Sequence, residues 1–590
     1  MQLAGYTRSD FTSDLIAGVI TATLLVPQAM AYSQLAGLPP QIGLYASMAP
    51  PVLYALVGSS RTMAVGPVAV ASLMLAAALT SRWPAGSPEY LAGALVVAGL
   101  VGLLLTIMGL ARLGVVANFL SHPVLSGFTN AAALVILVSQ LPPLLGLSVP
   151  RGDVHQVLGG IVAKLEGTHV ATAALAAAAV ALLVVVSRRG GRGLAAVGVP
   201  ERRADVLVRV FPLVLVAAAT LLIGRMLPDY GITVVGDIPR GLPPLALPPL
   251  EPGVWFELSG AALAIALVSF VESLSIARVL AARRRQKVNA DRELVGLGVA
   301  NLGAAFTGAS PVCGGFSRSV VNFEAGARTQ VASIVTAAMI AFTALFLTPW
   351  FYHLPVAVLA AIVVVSVTGL FDLHTLRLCW RYNRADAMAL AATFVTVLVE
   401  GMEAGIAVGV ALSAALFLWR TSRPHAAVVG RVGDTEHFRN VDRHSVTTYP
   451  GLLAIRVDES LYYANTQALE ELLLNSVADR PDVRHVVLIC SAVNFIDTSA
   501  LETLENLADE LRGAGTTLHL AEVKGPVMDG LKRVSLLEKL SPGRVFLSTH
   551  EAVATLAEGA GADGLTLFLL IEIRYECVGA QVLRRQVPVH

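Results

Sequence analysis

The chain has 590 residues, of which 55% are hydrophobic and only 14% carry a charge, and its mean hydropathy is +0.70. In soluble domains about a quarter of the residues are charged, which keeps the surface hydrated, so this composition excludes a wholly soluble protein. A net charge of +1 provides no basic field for a nucleic-acid partner. The apolar excess lies before residue 420, which predicts a polytopic α-helical membrane domain in a lipid bilayer.

Apolar stretches predict about fourteen membrane segments, some too short to cross roughly 30 Å of hydrocarbon alone. They lie at 15–33, 43–58, 65–80, 91–110, 124–145, 170–187, 207–224, 256–276, 294–308, 317–323, 329–349, 355–371, 386–400 and 404–419.

Loop charge predicts how these segments are oriented. The loops at 188–209 and 278–293 each hold six basic and two acidic residues, whereas 225–257 holds two basic and four acidic ones. Because basic loops face the cytoplasm, both termini are expected inside, and the protein is expected in the cell (inner) membrane.

Beyond residue 420 the pattern changes to alternating strands and helices, which predicts a small soluble α/β domain. Strands are predicted at 452–457, 483–490 and 516–523, and helices at 466–478 and 499–512. The expected domains are a transmembrane domain over 1–425, a linker over 426–446, the cytoplasmic α/β domain over 447–556 and a tail of unknown structure over 557–590.

Two interruptions rich in small residues, at 58–67 and 308–319, occur in corresponding parts of the two halves of the membrane domain. Such paired interruptions indicate inverted repeats, here of seven segments each, with the binding site at the breaks. A half-helix that begins at mid-membrane presents unpaired N–H groups and a positive dipole end, which favour an anion.

The candidate substrate-binding residues at the breaks follow from this geometry. They are Val65, Gly66, Pro67 and Val68 in the first interruption, and Ser317 and Arg318 in the second. The alternative is that the small residues only allow close helix packing, which explains the glycines better than it explains an arginine.

Three further side chains are candidates because they are polar within apolar segments. Gln28 and Tyr32 lie four residues apart on one face of the first helix, next to Pro27, and either line a cavity or bond to a neighbouring helix. Glu272 is a carboxylate inside an apolar span. Because a charged group is costly there, its presence indicates a function, and Glu272 is the candidate for proton coupling. Its alternatives are an ion pair with Arg318 and a position nearer the cytoplasmic end.

In the soluble domain, Ser499 is a possible regulatory phosphorylation site at a helix N-terminus. The simpler alternative is that Asp497 or Thr498 only caps that helix. The four cysteines show no metal-ligand spacing, and no nucleophile–base set or phosphate-binding loop occurs, so neither a metal, a cofactor nor an enzyme activity is expected.

The segment 40–61, with the sequence PQIGLYASMAPPVLYALVGSSR, resembles the signature of the SulP (sulfate permease) family, although Ile42 stands where the family usually has an aromatic residue. Further matching motifs are Pro27-Gln28, Gly66-Pro67, Asn289, Asp291-Arg292-Glu293-Leu294, Ser317-Arg318-Ser319 and, in the soluble domain, Asp497-Thr498-Ser499. The resemblance extends to about residue 556 and identifies the soluble domain as a STAS domain.

The resemblance implies two inverted repeats like those of nucleobase transporters, split into a moving core and a gate. It also implies a homodimer, elevator-like transport, and an anion seated between the starts of segments three and ten. The expected function is proton-coupled symport of a small anion of the sulfate, bicarbonate, chloride or dicarboxylate class. The alternatives are an anion exchanger or channel-like member, and a membrane-tethered sensor whose STAS domain binds a cytoplasmic partner.

Overall fold

The computed structural model describes residues 6–119, 121–150, 152–196, 198, 200–226, 230–534 and 536–558. The chain forms two compact units, Met1–Leu416 and Phe417–His590. Of the tail predicted over 557–590, the residues from 559 onward lie outside the described residues.

The first half of the membrane unit is helical, apart from one two-residue strand. Its elements are α1 (Arg8–Leu35), α2 (Pro40–Tyr45), α3 (Ala49–Val57), β1 (Val65–Gly66), α4 (Ala69–Thr80), α5 (Pro88–Leu110), α6 (His122–Leu145), α7 (Val154–Ala163), α8 (Val170–Val185), α9 (Gly191–Ala196) and α10 (Glu201–Met226). The second half repeats this design with α11 (Pro252–Arg283), α12 (Ala290–Phe306), β2 (Cys313–Gly314), α13 (Phe316–Glu324), α14 (Val331–Phe342), α15 (Val356–Val367), α16 (Leu373–Tyr382), α17 (Arg384–Val399) and α18 (Met402–Thr421).

The two halves correspond as inverted repeats of seven segments. α1, α2–α3, α4, α5, α6, α8 and α10 match α11, α12, α13, α14, α15, α17 and α18 in order. Because seven crossings return the chain to the opposite side, the second repeat is inverted relative to the first. Within the described residues, eight helices are long and apolar enough to span alone, while α4 and α13 are half-helices preceded by extended chain.

The helices of the membrane unit pack in two groups. In one group α12 packs on α3 and α5, α14 packs on α1, and α11 packs on α4, α5 and α13. In the other, α6 packs on α15 and α17, and α8 packs on α15. The groups meet where α1 contacts α10 and α15, and where α4 contacts α6. This division is the core-and-gate arrangement that the fold class requires.

The second unit is a six-stranded sheet with helices on both faces. Its strands are β3 (Ala426–Arg431), β4 (Phe438–Asn440), β5 (Leu452–Val457), β6 (His485–Ile489), β7 (Thr517–Ala521) and β8 (Val545–Phe546), in the order β4-β3-β5-β6-β7-β8. Its helices are α19 (Thr466–Ala478), α20 (Thr498–Gly513), α21 (Gly525–Leu531), α22 (Leu536–Lys539) and α23 (Thr549–Glu558). β5 to β8 pair in parallel, and alternate residues of β5 face opposite sides of the sheet: Leu453 and Ile455 belong to one apolar cluster, Leu452 and Ala454 to another.

The linker predicted over 426–446 is wrong, because this segment forms part of the sheet. β3 pairs antiparallel with β5, from Ala426 opposite Val457 to Val428 opposite Ile455, and β4 pairs with β3. Val429 is buried in the core. β3 was missed because it is only six residues long and consists mostly of small residues.

We predict that β3 and β4 are required for the soluble unit to fold. A fragment of residues 447–558 leaves the edge of β5 unpaired and the apolar face around Val429 open, whereas residues 422–558 retain both. The longer fragment should unfold cooperatively in urea. The shorter fragment should aggregate or show no cooperative unfolding transition. Equal unfolding midpoints for the two fragments would contradict this role of β3.

Two histidines meet on adjacent strands: half-buried His485 at the start of β6 and buried His519 in the middle of β7. His519 Nδ1 accepts a hydrogen bond from the Arg544 backbone N–H at 3.1 Å, so the His519 proton lies on Nε2 and points to His485 Nδ1, also at 3.1 Å. Burial, followed by the charges of His485 and Arg544, lowers the pKa of His519 from 6.5 to about 4. The neutral ring is therefore the form that the fold accommodates.

From this lowered pKa we predict that acid destabilises the soluble unit. Between about pH 6.5 and about pH 4 the unfolded chain binds a proton at His519 that the folded chain does not, so stability falls as the pH falls. His519→Gln should reduce this slope, measured as urea midpoint against pH for residues 422–558. His444→Gln, at an exposed position, is the control. An unchanged slope in the His519 variant would place the acid sensitivity elsewhere.

Candidate functional site

The two predicted interruptions meet in a short antiparallel ribbon within the membrane unit. β1 and β2 pair through Val65 opposite Gly314 and Gly66 opposite Cys313. α4 and α13 begin within three residues of this ribbon, and no side chain caps either N-terminus. Their first N–H groups therefore lack intrahelical partners, and two positive helix ends start at one place.

Arg318, on the first turn of α13, joins the two interruptions. Its buried guanidinium donates hydrogen bonds from Nε to the Ala64 carbonyl (2.9 Å), from Nη1 to that of Pro67 (2.6 Å), and from Nη2 to those of Gly66 (2.7 Å) and Cys313 (2.8 Å). Four of its five N–H donors are thus used by carbonyls of non-helical backbone. The sequence suggested a cation that contacts the anion directly, but the structure gives this side chain a structural role as well.

Two glycines make room for the guanidinium. A Cβ at Gly315 would lie 2.6 Å from Arg318 Nε, and a Cβ at Gly66 would lie 3.2 Å from Nη1. Any side chain at Gly315 would therefore displace the arginine from the carbonyls. These glycines let the Arg318 side chain approach the backbone closely. Close packing of one helix against another does not account for them.

Buried polar side chains hold the rest of the ribbon, and sequence reasoning did not select them as site residues. Asn301 on α12 donates to the Val312 carbonyl and accepts from the Val312 N–H, both at 2.9 Å. Asn322 donates to the Thr62 carbonyl, and Ser319 Oγ accepts from the Ala64 N–H. The sequence signal that could have identified the two asparagines is an amide side chain inside an apolar helix.

Gln330, at the start of α14, contributes in the same way by donating to the carbonyls of Ser60 (2.8 Å) and Met63 (2.9 Å). The first interruption is thus bonded mainly by side chains of the second repeat. The two repeats therefore form one polar core rather than two separate halves.

Glu293 on α12 is a fully buried carboxylate with a complete set of donors. It accepts hydrogen bonds from the Tyr54 hydroxyl (2.7 Å), from the N–H (2.7 Å) and hydroxyl (2.6 Å) of Ser59, and from the Ser60 N–H (2.9 Å). These bonds fix the turn that leads from α3 into the first interruption. Its role is therefore structural.

Glu272 on α11 differs from Glu293 in its surroundings. It lies one residue before Ser273, whose buried hydroxyl accepts the Gly314 N–H at 2.8 Å, so α11 holds β2 beside Glu272. No hydrogen bond or ion pair joins Glu272 to another described residue, while its charge interacts with that of Arg318. The structure thus places the predicted proton-coupling residue beside the ribbon without assigning it a structural bond.

The two polar residues of α1 are on a helix that contacts the half-helices. Gln28 and Tyr32 are buried, and α1 packs against both α4 and α13. Tyr32 lies near Ser366 at the end of α15 and within electrostatic range of Arg318 and Glu272. A cavity of about 880 Å³ begins at Ala31, the neighbour of Tyr32 along α1, and lies between the ends of α1, α4 and α6 and the start of α15.

The structure therefore brings together most of the predicted site residues. Those that lie at the ribbon or around it are Gln28, Tyr32, Val65, Gly66, Pro67, Val68, Glu272, Ser317 and Arg318, of which Ser317 is exposed. Ser499 belongs to the other unit, where it is exposed in the first turn of α20. There Asp497 is the N-cap, accepting the Ala500 N–H at 2.8 Å.

Comparison with family models identifies both units. Residues 11–393 match the sulfate permease family, and residues 443–552 match the STAS domain. A probable sulfate transporter 4.2 of Arabidopsis thaliana is 36% identical over 92% of this chain and 80% of its own. A probable sulfate transporter of Mycobacterium tuberculosis is 34% identical over 94% of this chain and 96% of its own.

Solved structures show the same fold. Murine Solute Carrier 26 family member A9, an anion transporter captured in the inward-facing state, aligns with a TM-score of 0.85 over 95% of this chain and 93% of its own, at 25% identity. The transmembrane domain of the cyanobacterial bicarbonate transporter BicA aligns with a TM-score of 0.59 over 68% of this chain and 98% of its own, at 23% identity. Together these matches establish an integral membrane anion transporter rather than an enzyme.

We predict that Arg318→Lys destabilises the membrane unit. A lysine has three donors on one nitrogen and cannot reach four carbonyls, and each buried carbonyl left unpaired costs about 1–3 kcal/mol. The midpoint of thermal unfolding in detergent should fall clearly below that of the parent. Ser317→Ala, at the exposed neighbouring position, should leave it unchanged. A lysine variant as stable as the parent would show that the guanidinium is not needed to hold the ribbon.

Proposed function

The chain belongs to the sulfate permease family, and we propose that it transports sulfate into the cell together with a proton. The observation that supports this most directly is the pair of uncapped helix N-termini at the ribbon, with Glu272 beside them. The activity shared by its relatives is anion transport. To this shared activity the proposal adds a particular substrate, sulfate, and a particular coupling ion, the proton.

The anion seat we propose lies between the starts of α4 and α13. The first N–H groups after Val68 and Gly315 have no intrahelical acceptor, and they suit an oxyanion, which accepts several hydrogen bonds at once. Arg318 contributes its positive charge to the seat rather than several hydrogen bonds, because most of its N–H donors are already bonded to backbone carbonyls. Gln28, Tyr32 and Ser317 supply the remaining polar groups.

Sulfate is the proposed substrate because the curated relatives that cover nearly the whole chain carry that name. A doubly charged oxyanion also matches a seat with two dipole ends and one guanidinium. Bicarbonate, chloride and dicarboxylates are the other members of the class. Exchange or channel-like conduction is the alternative mode, and neither needs a titrating group beside the seat.

Glu272 is proposed to carry the coupled proton. When it is ionised, its negative charge opposes an anion at the ribbon, and protonation removes that opposition. Anion and proton therefore favour each other's binding, and the coupling is equal in both directions. Glu293 does not serve this role, since four hydrogen bonds already stabilise its charge.

Transport is proposed to follow an elevator-like movement of the core group of helices against the gate group. The groups meet at α1, α4 and α15, and the 880 Å³ cavity lies at that boundary. In the proposed movement the core slides along this boundary. Substrate would remain with the ribbon, because side chains of the core helices α11, α12 and α13 hold the ribbon by hydrogen bonds.

The remaining features of the proposal concern the cellular setting. The basic loops at 188–209 and 278–293 support the proposed orientation with both termini in the cytoplasm, and the cell (inner) membrane is the proposed location. The STAS domain, from β3 to α23, is proposed as a regulatory module that supports a homodimer and binds a cytoplasmic partner. Exposed Ser499 is its candidate for phosphorylation.

The proposal predicts that Glu272→Gln abolishes proton coupling but not anion binding. The neutral amide imitates the protonated carrier, so sulfate should still bind, with less dependence on pH. Uptake of labelled sulfate into proteoliposomes should no longer be accelerated by an inward proton gradient. Glu257→Gln is the matched control, since Glu257 lies on the same helix but is exposed and bonded to Arg82.

Two results would contradict parts of this proposal. If Glu272→Gln accumulates sulfate on a pH gradient as the parent does, the coupling residue lies elsewhere or the protein is an exchanger. If the parent takes up bicarbonate or chloride and not sulfate in the same vesicles, the seat is retained and the substrate is wrong.

A further inference from the structure

A second polar cavity lies at the end of α11, away from the proposed seat. It has a volume of about 320 Å³ and is bounded by the loop 59–62 and by residues 281–288. The first segment belongs to the first repeat, and the second covers the end of α11 and the turn that follows it. The cavity therefore bridges the two repeats at the membrane end that the loop charges assign to the cytoplasm.

All the charged side chains that line this cavity are positive. Three of its nine lining residues are cationic, namely Arg61, Arg285 and Lys287, and none of the nine is acidic. The hydroxyl groups of Ser59, Ser60 and Thr62 and the amide of Gln286 complete the polar lining. Ser59 and Ser60 also donate hydrogen bonds to Glu293, a buried carboxylate that does not itself line the cavity.

Arg285 is held in a conformation that an arginine rarely adopts. α11 ends in a Schellman motif, in which the N–H of Gln286 bonds to the Ala281 carbonyl and that of Arg285 to the Ala282 carbonyl. Arg285 occupies the left-handed position of this motif with φ 53°, where glycine is the usual residue. An arginine in place of glycine costs backbone strain, which directs attention to what its side chain does in the cavity.

We propose that this cavity binds a phosphate-class dianion, either free inorganic phosphate or the phosphate of an anionic lipid headgroup. Three cations and several neutral donors around one cavity match a multivalent oxyanion, and basic pockets at the cytoplasmic end of membrane helices recognise such headgroups. The cavity volume equals about ten waters at roughly 30 Å³ each, which is enough for one hydrated phosphate group.

Occupation of this site would tie the loop 59–62 to the end of α11. Two residues, Met63 and Ala64, separate the loop from β1, so the bound anion would stiffen the chain that leads into the ribbon. The site is thus a means by which phosphate or lipid can influence the core. The inference is independent of which anion the central seat carries and of whether a proton is coupled to it.

Arg285→Gly is the sharpest test, because it removes the cation and relieves the strain at the same position. The Schellman motif should be retained, so loss of binding cannot be attributed to misfolding. Lys287→Gln removes a second cation without touching the motif. Arg112→Gly is the matched control: Arg112 is also exposed and left-handed (φ 58°) at the end of α5, but it does not line the cavity.

Two measurements on the purified full-length protein separate the two sources of phosphate. In the first, inorganic phosphate is titrated calorimetrically in neutral detergent; Arg285→Gly and Lys287→Gln should each weaken binding about tenfold, with Arg112→Gly unchanged. In the second, native mass spectrometry counts phosphatidic acid retained from nanodiscs. A loss in the first assay identifies free phosphate, and a loss only in the second identifies the headgroup. If both cavity variants equal Arg112→Gly in both assays, the site is refuted.

Discussion

The structure of the membrane unit depends on how non-helical backbone is hydrogen-bonded where no water can reach it. Both interruptions expose carbonyls that lipid cannot solvate, and each unpaired group there costs several kcal/mol. Arg318 satisfies four of them with one planar group. Because those carbonyls come from both repeats, a single side chain allows two half-helices to begin at mid-membrane.

This arrangement determines what is available for an anion. The donors of the arginine are directed at backbone, so the remaining donors at the proposed seat are the first N–H groups of α4 and α13, supported by the charge of Arg318. Hydrogen bonding also distinguishes two acids of the core. Glu293 is buried, accepts four hydrogen bonds and holds a turn. Glu272 is half-buried and has no hydrogen bond to another described residue, which is why it is the proposed proton carrier.

The sequence predicted the membrane segments, the paired interruptions and the alternating soluble domain, because periodicity and apolar length are local properties. It also selected Val65, Gly66, Ser317 and Arg318, since a broken helix is visible as a run of small residues with a cation. It did not reveal that Arg318 bonds to carbonyls about 250 residues away, nor that Asn301 holds β2, because such bonds depend on which segments meet. The strands β3 and β4 were missed because they are short, and because the pairing of β3 between β4 and β5 depends on which segments meet in the fold.

We propose that the anion binds at the N-termini of the two half-helices while Arg318 remains bonded to the ribbon. Electron cryomicroscopy of the full-length protein with selenate, a dense analogue of sulfate, would locate the anion. We expect selenate density within hydrogen-bonding distance of the backbone N–H groups that follow Val68 and Gly315, with the guanidinium still on the carbonyls of Ala64, Gly66, Pro67 and Cys313. Selenate bound directly by a guanidinium released from those carbonyls, or density away from the ribbon altogether, would show that this placement of the anion is wrong.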